Sequence, residues 1–378
     1  HNIEKINAAI AKQARTLDFS PSFQFGHKGA FELAERITQF MPEGLNRVFF
    51  CGSGSEATDT ALKLARGYWR KLGRAGKTKL IGRAKGYHGV NFGGISVGGI
   101  GGNKAIFGES VAADHLPHTW LPENAFSRGL PLQGVDRADE LLELIALHDA
   151  SNIAAVIVEP LAGSGGVFPP PVGYLQRLRK ICDDHDILLI FDEVICAFGR
   201  MGANTGAEAF GVKPDMINIA KQLTNGAMPM GAVIVRQDIY DCFMATDAPD
   251  YAPEIPHGYT YSAHPLACAA GLASLEVLEN ENMIQRVQAI SPFFESAVHE
   301  LGNCANVVDV RNYGLAAGLT LQAYPGEPLR RPFEVAMSMW EKGFYVRYGG
   351  DTLQLGLPFI VEQAEITSLV NALADSLA

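Results

Sequence analysis

Ile187-Leu188-Leu189-Ile190-Phe191-Asp192 and Met216-Ile217-Asn218-Ile219-Ala220-Lys221 decide the fold of this chain. Both runs are continuously apolar rather than alternating, which is how a strand buried on both faces of a parallel sheet reads. Each ends on an ionisable residue, a carboxylate in one and an amine in the other. Arg47-Val48-Phe49-Phe50, Ala154 to Val158 and Gly231 to Val235 read as further buried parallel strands. Between them, residues 56–72 put Ala57, Ala61, Leu64, Tyr68 and Leu72 on one face at near-3.6 spacing. Residues 137–148 and 173–184 behave alike. Strand alternating with helix predicts an α/β layer architecture. Ser53, Ser55, Glu159, Asp192 and Lys221 all fall just after strands. Ligands in open parallel sheets sit beyond those carboxyl ends, so the pattern predicts one site fed by several strands.

The 378 residues exceed one comfortable core and predict two domains. Residues 1–40 read as a partial N-terminal segment, 41–272 as a large ligand-binding domain with a mostly parallel sheet, and 273–378 as a smaller α+β C-terminal domain. Hydrophobic content of 47% and charged content of 19% describe a well-buried globular protein. A net charge of −10 argues against nucleic-acid binding, which needs a basic surface. No apolar stretch approaches the roughly 18 residues of a membrane helix. The six cysteines (51, 182, 196, 242, 268 and 304) are widely spaced without a Cys-x-x-Cys pair. Reduced thiols and a cytoplasmic location follow. The chain opens on His1 rather than methionine, and the expectation is that further residues precede it.

Cys51-Gly52-Ser53-Gly54-Ser55-Glu56 joins a strand to an amphipathic helix. Free amides at the helix start and two hydroxyls suit a phosphate cup, or Ser53 or Ser55 simply caps the helix. Tyr87 offers a ring that can stack on a flat ligand, with His88 in support, or is a packed aromatic. Asp192 at a strand end needs a cationic partner, and no lysine or arginine stands near it in sequence before Arg200. A protonated pyridine nitrogen would serve, or a salt bridge to a distant residue. Val194 falls on the same side as Asp192, and Glu159 ends the neighbouring run. Lys221 must be neutral to attack an aldehyde, which burial favours. An amine and a carboxylate so placed suit pyridoxal 5′-phosphate. Gly93 to Gly102 reads as a flexible loop near the site. Gly73 to Thr78 has two residues between its glycines where a Walker A loop needs four, and reads as part of a solvated basic face. Asp114, His115 and His118 are set aside as a metal site, and none is expected.

Leu189 to Ile195, Phe198-Gly199-Arg200, Pro214-Asp215 and Ala220-Lys221, in this order, resemble the class III (ω-) aminotransferases of the fold-type I pyridoxal phosphate group. The resemblance spans essentially the whole chain. Asp18 to His27, His257 to Pro265 and Gly343 to Thr352 are most similar to the β-alanine–pyruvate (ω-amino acid–pyruvate) branch. It implies a homodimer or tetramer that moves an amino group by ping-pong from a β-alanine-like ω-amino acid or amine to pyruvate. Lys221 matches the Schiff-base lysine, Asp192 the pyridine-nitrogen partner, and Tyr87 and Val194 the residues on the two ring faces. Ser53, Gly54 and Ser55 match the phosphate cup. Tyr259 and Thr260 match a loop that reaches the neighbouring subunit's phosphate. Arg347 matches an arginine that receives the substrate carboxylate and swings aside for an amine lacking one. Phe23 and Ser164 would line the substrate pocket. An aminomutase, racemase or decarboxylase on the same cofactor is the rival within the fold, and a catalytically silent homologue the rival outside it. A nicotinamide oxidoreductase lacks its glycine fingerprint here.

Overall fold

The computed structural model describes residues 1–245, 249 and 251–378. Seven strands make the larger sheet: β1 (Leu45–Cys51), β2 (Lys79–Arg83), β3 (Ala113–Leu116), β4 (Ile153–Val158), β5 (Leu188–Asp192), β6 (Met216–Ile219) and β7 (Gly231–Arg236). A second sheet holds β8 (Val307–Tyr313), β9 (Ala316–Leu321), β10 (Arg347–Gly349) and β11 (Thr352–Gly356). The first has the order β1-β7-β6-β5-β4-β2-β3, the second β10-β11-β9-β8. The whole is a mixed α/β fold of the mostly parallel kind that the sequence predicts.

One strand departs from the prediction. β7 runs antiparallel to both β6 and β1, whereas its apolar run reads as parallel. Its inward burial is the same either way, so composition cannot give its direction. The connection decides it: only a single 3-10 turn, Lys221–Thr224, lies between β6 and β7. A parallel return needs a crossover of a dozen or more residues, usually a helix.

β4 and β5 are buried at every position, with helices on both faces. The helix Gly54–Lys71 presses Ala57, Ala61, Leu64 and Ala65 onto one face. The helix Tyr174–Asp184 presses Leu175, Leu178 and Ile181 onto the other. The helix Pro265–Asn280 runs through the predicted boundary at 272/273 and packs against the helices Glu4–Thr16 and Lys28–Thr38.

Two further predictions need correcting. The glycine-rich segment 93–102 is helical over Phe92–Val97 and again from Gly101. Its glycines serve close approach: a Cβ on Gly94 would lie 2.3 Å from His88 O, and one on Gly99 2.3 Å from Arg83 O. Lys77 is 1% exposed rather than solvated. Its ammonium donates to the carbonyls of Ala150, Ile153 and Asp186 and lies over the Trp69 ring. Burial lowers it to about 8.

Gly231 opens β7 directly beneath the Ser53–Gly54 turn. A Cβ there would stand 2.4 Å from Ser53 O, against backbone that cannot rotate away. Gly231→Ala is therefore expected to destabilise the chain by roughly 1–3 kcal/mol through overpacking. An unchanged unfolding midpoint in a denaturant titration would contradict this.

Candidate active site

Three adjacent parallel strands deliver three ionisable groups to one end of the sheet. Glu159 follows β4, Asp192 is the last residue of β5, and Lys221 follows β6 by one residue. A cavity of about 390 Å³ opens over them. It brings together Ser53, Gly54, Ser55, Tyr87, His88, Glu159, Asp192, Val194 and Lys221. These come from turns spread over more than 160 residues of sequence.

Ser53 has extended backbone and caps the helix Gly54–Lys71, its hydroxyl oxygen accepting from Glu56 N at 3.2 Å. Glu56 Oε2 accepts from Gly52 N at 2.7 Å. Ser55 Oγ accepts from Val90 N at 3.1 Å, which ties the Tyr87–Gly89 turn to the helix start. The capping alternative is thus realised at Ser53. It leaves both hydroxyl protons available to an anion at the helix N-terminus, where the dipole favours negative charge. A Cβ on Gly54 would stand 3.1 Å from Val194 Cγ2, a tight contact that presses the turn against Val194.

Asp192 is 5% exposed. Its Oδ1 accepts from Val194 N at 3.2 Å and its Oδ2 pairs with His88 Nδ1 at 2.8 Å. His88 Nε2 is buried and has no partner among the described residues. A bare lone pair costs less to bury than a bare N–H, so the proton belongs on Nδ1, donating to Asp192. His88 therefore backs the carboxylate rather than the Tyr87 ring. Glu159 accepts from Tyr87 N at 3.0 Å and from Gly163 N at 2.9 Å, pinning two loops at once. Burial pushes the Glu159 carboxyl up against the pull of His88, and nearby Asp192 adds to the rise.

Lys221 is held at φ +41°, in the left-handed region that a lysine rarely adopts. Leu223 N to Ala220 O and Gly226 N to Lys221 O fix the turn. Burial lowers the Lys221 ammonium, Asp192 and Glu159 oppose that, and the Arg347 guanidinium adds to it. The net direction is downward, while the side chain itself stands exposed in the open cavity.

The remaining predicted residues lie elsewhere. Thr260 is exposed and outside the cavity. Tyr259 is tied into its own chain, its hydroxyl on Thr60 Oγ1 at 3.2 Å and Glu56 O at 3.4 Å. Phe23 lines a separate cavity of about 290 Å³ with His257 and Gly258. Arg347 is exposed on β10 beside Trp340 and Tyr348. Ser164 is half-buried, its carbonyl accepting from Gln354. Asp114, His115 and His118 do not converge. Asp114 pairs with His148, His115 bonds Lys104 and Gly98 O, and His118 lies against Phe168. Among the described residues no three His, Cys, Asp or Glu side chains come together as metal ligands would. Sequence reading missed Gly89, Ile195, Thr224 and Met228 to Met230 on the cavity wall. Ile195 follows from the Asp192–Val194 run, but the 228–230 segment carries no motif.

A helix N-terminus for an anion, a backed carboxylate for a protonated ring nitrogen and an accessible amine for an aldehyde form a donor set that fits pyridoxal 5′-phosphate. The Aminotransferase class-III family model matches residues 1–377, and the chain belongs to that family. It is a pyridoxal phosphate-dependent aminotransferase of fold type I. Among its relatives, a β-alanine–pyruvate aminotransferase of Pseudomonas aeruginosa is 57% identical over 100% of this chain and 84% of that protein. An ω-amino acid–pyruvate aminotransferase of Pseudomonas putida is 56% identical over the same shares. The solved structure of an amine transaminase from an uncultivated Pseudomonas species, in its PLP-bound form, matches with TM-score 0.90 at 36% identity. It covers 100% of this chain and 87% of that one. No helix among the described residues is long and apolar enough to cross a membrane.

Glu193, next to Asp192, is fully buried and accepts from Ala207 N at 2.9 Å and from Gly206 N. Burial lifts its carboxyl from an ordinary 4.5 to about 7, and Asp192 contributes to the rise. The folded state then holds this proton more tightly than the unfolded chain. Its stabilisation is complete below about 4.5 and is lost as pH rises through about 7. Glu193→Gln should flatten the fall in unfolding midpoint across that window. An unchanged slope would mean that the Glu193 proton contributes nothing.

Proposed function

We propose that this aminotransferase takes the amino group of a β-alanine-like ω-amino acid and passes it to pyruvate, in two half-reactions on one site. The observation that carries the chemistry is the convergence of Lys221, Asp192 and the Ser53–Ser55 turn on one cavity. The substrate reading rests on 57% identity with a β-alanine–pyruvate aminotransferase over the whole chain. Pyridoxal 5′-phosphate, when bound, supplies an aldehyde that accepts the amino group and a ring that takes up the electron pair.

The residues divide the remaining work. Ser53, Gly54 and Ser55 hold the phosphate at the helix start. Asp192, oriented by His88, keeps the ring nitrogen protonated, while Tyr87 and Val194 bracket the ring and Glu159 fixes the Tyr87 backbone. Lys221 would anchor the aldehyde through its Nζ and, once free, would hold and deliver a proton at that atom. Arg347 receives the substrate carboxylate as a bidentate fork. Ser164 and Phe23 border the substrate.

Tyr259 and Thr260 would complete the phosphate site of a second copy, making a homodimer, alone or paired as a tetramer. Tyr259 fixes the loop and the exposed Thr260 reaches across. Phe23, Phe25 and Phe31 surround one cavity beside this loop and are 54%, 71% and 69% exposed, which supports burial against another copy. The proposed division keeps residues 1–40 as an N-terminal segment, 41–272 around the large sheet and 273–378 around the second. Six free cysteines suit a cytoplasmic enzyme.

The test is the visible absorption spectrum of the enzyme loaded with pyridoxal phosphate. A yellow band should bleach with β-alanine and return with pyruvate. A band indifferent to β-alanine would overturn the donor. Lys221→Ala should lower turnover by roughly 10³-fold or more with the far-UV circular dichroism intact. Normal turnover by that variant would end the assignment.

A further inference from the structure

Four residues stand in one row across the second sheet. Arg311 on β8 pairs with Gly318 on β9, Gly318 with Gln354 on β11, and Gln354 with Arg347 on β10. Directly opposed residues share a face, with Cβ atoms about 4.5–5.5 Å apart. This row meets the 163–167 loop that follows β4. Arg311 donates to Gly166 O and Val167 O at 3.0 Å. Gly318 lacks the Cβ that would stand 2.3 Å from Gly166 O. Gln354 Nε2 donates to Ser164 O at 2.8 Å. Arg347 is the next place in the row, close enough for its charge to act on Lys221.

The Ser164 bond fixes which end of the Gln354 amide is which. Nε2 is committed to the loop, so Oε1 is left to accept. Across the strand pair from it is Arg347, a donor only, whose guanidinium makes no hydrogen bond or ion pair among the described residues. We infer that Gln354 is the residue that seats the Arg347 guanidinium and so sets how readily the enzyme accepts a carboxylate substrate. The inference rests on the reading of Arg347 as the carboxylate receiver. A neutral amide oxygen suits this role. It carries no charge and offers a guanidinium one oxygen rather than two, so an arriving substrate carboxylate displaces it. A carboxylate at position 354 would compete on equal terms.

The experiment compares Gln354→Glu, Gln354→Met and Arg347→Gln holoenzymes with the parent. It reads KM and kcat for β-alanine, and the inhibition constant of propionate, a carboxylate without an amine. Gln354→Glu should raise the β-alanine KM and the propionate constant together by about 10- to 100-fold, the scale of one charge-assisted hydrogen bond, with kcat moving far less. Gln354→Met removes the competing acceptor and should lower the propionate constant by about 2- to 10-fold. A merely structural Gln354 would move both variants the same way, and that result overturns the inference, as does no movement in either. Arg347→Gln separates the two levels. If it weakens propionate while the Gln354 variants do not, only the seat fails. If it leaves propionate unaffected, the carboxylate reading of Arg347 fails first.

Discussion

Burying Glu159 and Asp192 side by side at the ends of β4 and β5, with the exposed Lys221 beside them in the same cavity, is the constraint around which the rest of this chain is arranged. Isolated, each would cost several kcal/mol to desolvate. Together with His88 they are compensated, because every carboxylate oxygen finds a donor. Asp192 takes His88 and Val194 N, and Glu159 takes Tyr87 N and Gly163 N. Each bond also fixes a loop, so neutralising the charge and shaping the cavity are done by the same contacts. The Lys221 side chain stands exposed in the cavity, within reach of a ligand held there.

The second sheet depends on the same loop that Glu159 anchors. Gly163 binds the Glu159 carboxylate, while Ser164, Gly166 and Val167 present carbonyls to Gln354 and Arg311. One five-residue segment therefore couples the cavity end of the large sheet to β8 and β11, and β11 pairs with the strand that carries Arg347. Arg311 is itself held by Asp309, whose other oxygen accepts from Phe126 N. The second sheet is in this way fixed to the loop through backbone carbonyls, which respond little to side-chain exchange at the surface.

Close approach explains the glycines better than flexibility does. Gly94, Gly99, Gly165 and Gly231 each lie where a Cβ would meet backbone within 2.5 Å. They bring the Tyr87–His88 turn, the 163–167 loop and the Ser53 turn into contact around the cavity. A glycine-rich run reads as mobile in sequence because composition cannot distinguish a glycine that moves from one that is packed against.

The sequence by itself determined the layer architecture, the strand ends and the residues with chemistry to offer. Apolar runs and helical periodicity are local properties, and an ionisable residue ending an apolar run is visible without knowing its neighbours. Resemblance then supplied roles for residues, such as Arg347 and Thr260, that no local pattern distinguishes. The tertiary structure alone decided the direction of β7, which hangs on a connection too short for a crossover. It gave His88 to Asp192 rather than to Tyr87, since hydrogen-bond partners 104 positions apart leave no periodic trace. It buried Lys77 against three carbonyls, and it tied Gln354 to Ser164 O on the strand register next to Arg347. Register between strands distant in sequence is fixed by packing, and packing is what a linear pattern leaves open.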